Sequence, residues 1–177
     1  MENENIWAPW RMDYLRQLDG RETPSASGAP ECFLCAAAEA ATDSEDARHR
    51  LVLMNDERGV MLLNRYPYTN GHLLAAPRLH LAGLSDLDRA GRCNLIELVA
   101  LAERLLEMAL NPQGINIGIN LGRCAGAGLP GHLHVHTVPR WAGDTNFMQT
   151  IGRVRVIPEA LEESYTHLRN TLQRIEG

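Results

Sequence analysis

The sequence predicts an α+β domain in which an antiparallel sheet of about five strands carries one long helix packed across it, with extensions at both termini. Three patterns predict it. Arg50 to Asn55 and Gly59 to Asn64 are short apolar runs parted by Asp56-Glu57-Arg58, as in a hairpin. From Leu87 to Ala109 apolar residues recur at three and four positions, as on one face of a helix. Two later stretches, 114–121 and 131–140, alternate with a period of two, as strands do.

Taken in order, residues 6–19 place Trp7, Trp10, Met12, Leu15 and Leu18 on a short amphipathic helix, with Pro9 in its first turn. Residues 20–31, rich in Gly, Pro, Ser and Ala, form a connector. Cys32 to Cys35 is a knuckle leading into the Ala-rich segment 36–41, and polar residues 42–49 are expected to be a second loop. After the hairpin, Tyr66 to Gly71 is a turn and His72 to Pro77 a third strand. Ser85 is the expected cap of the long helix, with Asp88 near its positive end and Pro112 beyond its stop. Cys93 on that helix reads as a small buried hydrophobe. Gly114 to Leu121 sets Ile115, Ile117, Ile119 and Leu121 on one face and leaves Asn116 and Asn120 on an open face. Gly122 to Gly131 is a glycine-rich loop, and a last helix runs from Pro158 through Leu161, Tyr165, Leu168, Leu172 and Ile175.

At 177 residues and 45% hydrophobic content the chain is one globular unit with a real core. Its formal net charge of −5 argues against a surface for nucleic acid polymers. No apolar run spans a bilayer and the start, Met1-Glu2-Asn3-Glu4-Asn5, is too polar for a signal peptide, so a cytoplasmic protein is expected. In that compartment Cys32 and Cys35 read as metal-binding or redox-active residues, not as a structural disulfide.

The chemistry concentrates in Gly131-His132-Leu133-His134-Val135-His136-Thr137. On an extended backbone His132, His134 and His136 share one face while Leu133, Val135 and Thr137 share the other. A neutral imidazole offers one donor and one acceptor, ligates metal and can act as a nucleophile. The alternative is a polar strand face with incidental histidines. Three of only seven histidines at strict alternation beside a glycine-rich loop weigh against it.

These residues, followed by Val138-Pro139-Arg140-Trp141, resemble the signature of the histidine triad (HIT) superfamily of nucleotidyl hydrolases and transferases. Asn64 to His72, followed by Ala76-Pro77-Arg78-Leu79-His80, is similar to the family's first block. Trp7 to Met12, Cys32-Phe33-Leu34-Cys35 and Trp141 to Met148 resemble the bacterial branch that includes diadenosine tetraphosphate phosphorylases. The resemblance implies a HIT-like fold occupying 32–150 with a zinc knuckle, between an N-terminal extension and connector over 1–31 and a C-terminal helical extension over 151–177. It also implies a homodimer.

By that resemblance His134 is the nucleophile, attacking the α-phosphorus of a nucleotide to form a nucleotidyl-histidine, and His136 contacts phosphate oxygens or the leaving group. Asn64, His72, Asn120, Arg123 and Gly128 join His136 as nucleotide-binding residues. Zinc-containing relatives bind their metal at the positions of Cys32, Cys35, His80 and His132, a closed four-ligand set and therefore structural; an empty or redox-active thiol pair is the alternative. No organic cofactor is expected. Arg140, Trp141, Asp144 and Asn146 are expected to shape the site of a second acceptor, and Leu129-Pro130-Gly131 replaces the Gln-Ser or Gln-Thr pair of smaller relatives. The expected function is cleavage of a dinucleoside polyphosphate, such as diadenosine tetraphosphate, or a related nucleotide conjugate. The rivals are a non-catalytic nucleotide-binding or sensing module and a sugar-phosphate nucleotidylyl transferase, a branch that carries glutamine where His136 stands.

Overall fold

The computed structural model describes residues 32–144 and 157–177. The helix expected over 6–19, the connector 20–31 and Asn146 lie outside the described residues. The hairpin is present as β1 (Val52–Asp56) and β2 (Gly59–Leu63), with Asp56 opposite Gly59 across the turn. With β3 (Leu73–Ala76), β4 (Gly114–Ile119) and β5 (Val135–Arg140) they make a five-stranded sheet of order β1-β2-β3-β5-β4, with every neighbouring pair antiparallel.

The sheet is covered unequally. On one face Leu53, Met61, Leu63, Leu73, Ala75 and Val135 form a core with Leu95, Leu98, Ala102 and Leu105 of α3 (Arg89–Leu110) and Leu168 and Leu172 of α4 (Leu161–Glu176). The C-terminal helix is tied down by the Tyr165 hydroxyl, which donates to the Val52 carbonyl at 3.1 Å, and by Arg169, which pairs with Asp43 and donates to the Leu53 carbonyl. On the other face Leu34 and Ala37 of α1 (Phe33–Glu39) pack on Val52, Val60, Leu62, Leu74 and Ala76. A seven-residue helix is only about 10 Å long, whereas five strands span about 19 Å between the outer two. This cover therefore ends at β3, and β5 and β4 keep an open face carrying His136, Arg140, Asn116 and Gly118.

Local chemistry moved several expected boundaries. Residues 42–49 are not all loop: Ser44 accepts from the Ala47 N–H and caps a short helix, α2 (Glu45–His49). The long helix is capped by Asp88, which accepts from the Gly91 N–H at 2.7 Å, and not by Ser85, which lies in a separate turn over Leu84–Asp86. A carboxylate is the better acceptor at the positive end of the helix dipole. The helix stops at Asn111, whose φ of 45° is left-handed, before Pro112. Cys93 is exposed, outside the buried stripe formed by Leu95, Leu98, Val99, Ala102, Leu105 and Leu106. Ile117 is also exposed, at 47%, because β4 is the sheet edge. Gly71 takes a φ of +76° in the turn before His72, and a side chain there would strike Leu110. Among the described residues no helix is long and apolar enough to cross a membrane.

Candidate active site and metal centre

Leu133 and Val135 point into the core, so the histidines between them face the other way, as the alternation requires. The regular strand begins only at Val135, because the preceding residues are held from outside the sheet. The Leu133 N–H donates to the Leu81 carbonyl at 2.6 Å, which brings the segment after β3 alongside and sets His80 and His132 with ring centroids 5.0 Å apart. A side chain on Gly131 would stand 3.3 Å from His80 Nε2, so the glycine leaves that ring its room.

There the two cysteines of the first turn of α1 meet the two imidazoles. His132 Nδ1 lies 3.2 Å from Cys32 Sγ and 3.5 Å from Cys35 Sγ, and His80 Nδ1 lies 3.2 Å from Cys35 Sγ. All four donor atoms lie within 4.8 Å of one another. Zn–S bonds of about 2.3 Å and Zn–N bonds of about 2.0 Å in a tetrahedron separate donors by about 3.3–3.8 Å, so the set fits zinc and leaves no open position. His132 Nε2–H donates to the Pro77 carbonyl at 2.9 Å, which fixes the tautomer that presents Nδ1 to the cysteines. Burial, and then the neighbouring His80 and His134, hold the His132 pKa below the usual histidine value against the opposing pull of that carbonyl.

The other histidines form a second constellation whose tautomers follow from one backbone donor. The Tyr68 N–H donates to His72 Nδ1 at 3.1 Å, so Nδ1 of His72 carries a lone pair and Nε2 carries the proton. The Asn64 amide adds a second donor to the same Nδ1 at 3.2 Å, its orientation set by Asn64 Oδ1 accepting from the Tyr66 N–H. His72 Nε2–H then donates to His136 Nδ1 at 2.9 Å, which leaves neutral His136 with its proton on Nε2. Burial, and then the neighbouring His134, lowers the His136 pKa, which favours its neutral form. His134 is wired the opposite way: its Nδ1–H donates to the His132 carbonyl at 2.8 Å, so Nε2 carries the lone pair. The two rings stand edge to face, 5.0 Å apart. Side by side, one offers an unshared pair and the other an N–H, the two groups a displacement at phosphorus needs.

Two clefts flank this pair. Leu62, Leu74, His136 and Gly118 are successive partners across β2, β3, β5 and β4, and so form one row over the open face. At the Leu62–Leu74 end is a mainly apolar cleft of ≈ 420 Å³ walled by Phe33, Tyr66 and Asn64. At the Gly118 end is a polar cleft of ≈ 370 Å³ lined by His136, Tyr68, Asn116, Asn120, Arg140 and Asp144. The structure thus brings Asn64, His134, His136 and Asn120 to one surface. His72, expected against the nucleotide, is instead wholly buried and bonds to Asn64, Tyr68 and His136. Arg123 and Gly128 are exposed in the loop before the histidines and line neither cleft. Phe33, Tyr66 and Tyr68 were missed from the sequence, and Asn116 was placed on the open face without a role. The usable signal was the placing of Tyr66 and Tyr68 between Asn64 and His72, and the period that pairs Asn116 with Asn120.

The HIT domain family matches residues 46–143, more than half of the chain. The chain is 34% identical over 170 residues to the AP-4-A phosphorylase of Mycobacterium tuberculosis, covering 91% of this chain and 80% of that protein. It is 33% identical over 82 residues to the bis(5'-nucleosyl)-tetraphosphatase (asymmetrical) of Schizosaccharomyces pombe, covering 46% of this chain and 44% of that one. The crystal structure of a Zn-bound histidine triad family protein from Mycobacterium smegmatis superposes with a TM-score of 0.64 at 28% identity, covering 84% of this chain and 98% of the other. On the matched domain and the near full-length relative, this chain belongs to the histidine triad (HIT) family.

Proposed function

We propose that the protein is a nucleotidyl hydrolase or phosphorylase that cleaves a dinucleoside polyphosphate, with an adenine nucleotide favoured, at the α-phosphorus through a covalent intermediate on His134. The opposite tautomers of His134 and His136 carry the proposal. His134 Nε2 bonds to phosphorus while the P–O bond to the leaving polyphosphate breaks; the departing oxygen takes the bonding pair and leaves as an anion, steadied by a hydrogen bond from His136 Nε2–H. A second acceptor then attacks the same phosphorus, the P–N bond breaks with its pair returning to His134 Nε2, and the acceptor's proton is released to solvent. Water as acceptor releases a nucleoside monophosphate; inorganic phosphate releases a nucleoside diphosphate.

The apolar cleft between Phe33, Leu62, Leu74 and Tyr66 suits a base, with Asn64 at its rim for the ribose, while Asn120 meets the substrate from the polar cleft. Arg123 and Gly128 are assigned to the phosphates by the composition of their loop. Zinc held by Cys32, Cys35, His80 and His132 supplies structural support and no Lewis-acid chemistry, since its four protein ligands fill the tetrahedron. The proposal places the protein in the cytoplasm, where the thiols stay reduced. It also includes a homodimer formed along the β4 edge, where Ile117 is 47% exposed.

The test is product analysis with diadenosine tetraphosphate, with and without phosphate, on the protein and on His134→Ala. The protein forms AMP or ADP together with ATP, and a nucleotidyl adduct appears in the intact mass. The variant loses at least about a thousandfold in rate and keeps its nucleotide affinity. Binding without turnover by the unaltered protein would support a sensing module instead.

A further inference from the structure

The polar cleft beyond His136 is larger than a phosphate acceptor needs and has the wrong charge to be built for one. Its only cation, among the residues lining it, is Arg140, and that guanidinium is already committed. It donates to both carboxylate oxygens of Asp144, at 2.5 and 2.9 Å, and to Asn116 Oδ1 at 2.9 Å. An anion placed there would meet the Asp144 carboxylate as well as the arginine. An uncharged ligand with donors and acceptors meets no such conflict.

The rest of the cleft supplies partners for such a ligand. Tyr68, 46% exposed, lies over the His136 ring at 6.0 Å and 21°, and offers an aromatic wall. Asn116 gives its carbonyl to Arg140 and so presents its amide N–H groups, whereas Asn120 bonds through its NH2 to the Gly126 carbonyl and presents its carbonyl. One donor and one acceptor beside an aromatic wall suit a nucleobase or ribose edge. The floor is Gly118, where a Cβ would meet nothing within 4 Å. A volume of ≈ 370 Å³ lies within the range of about 300–1,000 Å³ common for small-molecule sites.

Resting on the two-step reaction above, we propose that this cleft seats the second nucleoside of a dinucleoside polyphosphate, the one that departs with the leaving group. The cross-strand row supports the geometry. Leu62 to Gly118 covers three strand intervals, about 14 Å, with His136 between the two clefts. One nucleoside lies on each side of the reacting phosphorus.

The test compares diadenosine tetraphosphate with adenosine 5'-tetraphosphate, which keeps the polyphosphate and lacks only the second nucleoside. The unaltered protein prefers the former by about tenfold in kcat/KM, the scale of one stacked base. Gly118→Leu fills the floor from a strand position with a permissive φ and open space. It abolishes the preference while changing turnover of adenosine 5'-tetraphosphate by less than about threefold. Asn116→Ala moves the ratio in the same direction, and size-exclusion chromatography separates either effect from a change of assembly. Equal losses on both substrates, or no preference in the unaltered protein, overturn the proposal. Should the unaltered protein cleave neither compound, the catalytic reading falls on its own, and NMR of the Asn116 side-chain amide decides the cleft: it shifts with diadenosine tetraphosphate and not with AMP, or the second-nucleoside site is wrong.

Discussion

Replacing His72 tests whether the wiring beneath His136 matters as the hydrogen bonds imply. The ring is fully buried, and three bonds hold this wiring: Nδ1 accepts from the Tyr68 N–H and from the Asn64 amide, and Nε2–H donates to His136 Nδ1. His72→Phe keeps the bulk and deletes all three. Each buried polar group left without a partner costs about 1–3 kcal/mol; with water reaching part of the Asn64 amide, a stability loss of about 2–5 kcal/mol is expected. In addition His136 loses the donor that fixes its tautomer, so its N–H no longer points reliably at the leaving oxygen. A misdirected hydrogen-bond donor to the developing charge costs about 10²-fold or more in rate. His72→Gln restores a donor near the position of Nε2 but not the Tyr68 acceptor, so it recovers part of kcat and less of the stability. Denaturant unfolding and single-turnover rates on diadenosine tetraphosphate measure the two effects separately. A His72→Phe protein with unaltered kcat would refute the wiring, whatever its stability.

Three further outcomes follow from the same geometry. Cys32→Ser removes one of four ligands around the proposed metal; bound zinc falls well below one per chain, and a loss of about 3 kcal/mol lowers Tm by roughly 6–12 °C, both read by metal analysis and calorimetry. Leu168→Ala opens a cavity where α4 meets α3 at a fully buried position; it costs about 2–5 kcal/mol in urea unfolding, and a change under about 1 kcal/mol would remove the C-terminal helix from the core. His136, facing His134, His72 and Tyr68, has a pKa lowered by burial. The unfolded chain therefore binds more protons just below pH 6.5, so the stability present above that value is lost as pH falls towards the folded pKa, with a slope of at most about 1.4 kcal/mol per pH unit from this residue. His136→Gln flattens that slope in a pH series of unfolding curves.

Most of the fold was legible because period decides it: the runs at 50–55 and 59–64, the stripe from Leu95 to Leu106 and the alternation from Gly114 have one geometric solution each. What the pattern left open was choice among competing caps and surfaces. Ser85 and Asp88 are both good N-caps, and the packing of Leu87 into the core adds to the carboxylate's advantage in selecting the second. The exposure of Cys93 is set by helix phase, which a single apolar residue does not reveal. In the site, the histidine row was read correctly as one face, but its division of labour was not visible. Which nitrogen of His136 keeps its proton depends on the Tyr68 backbone N–H, and no side-chain pattern encodes that. The two clefts were equally hidden, since Phe33, Tyr66 and Asn116 come from three separate segments.

Because α1 is too short to roof the whole sheet, the two clefts proposed for substrate are floored by bare β-structure, with loops only at their walls. Their base inherits the stiffness of a hydrogen-bonded ladder backed by two helices, so the spacing from His136 to Leu74 and Gly118 is set by strand geometry. Changes of substrate within such an architecture come from the rim, through residues such as Phe33, Tyr66 and Asp144, while the ladder beneath them stays as it is.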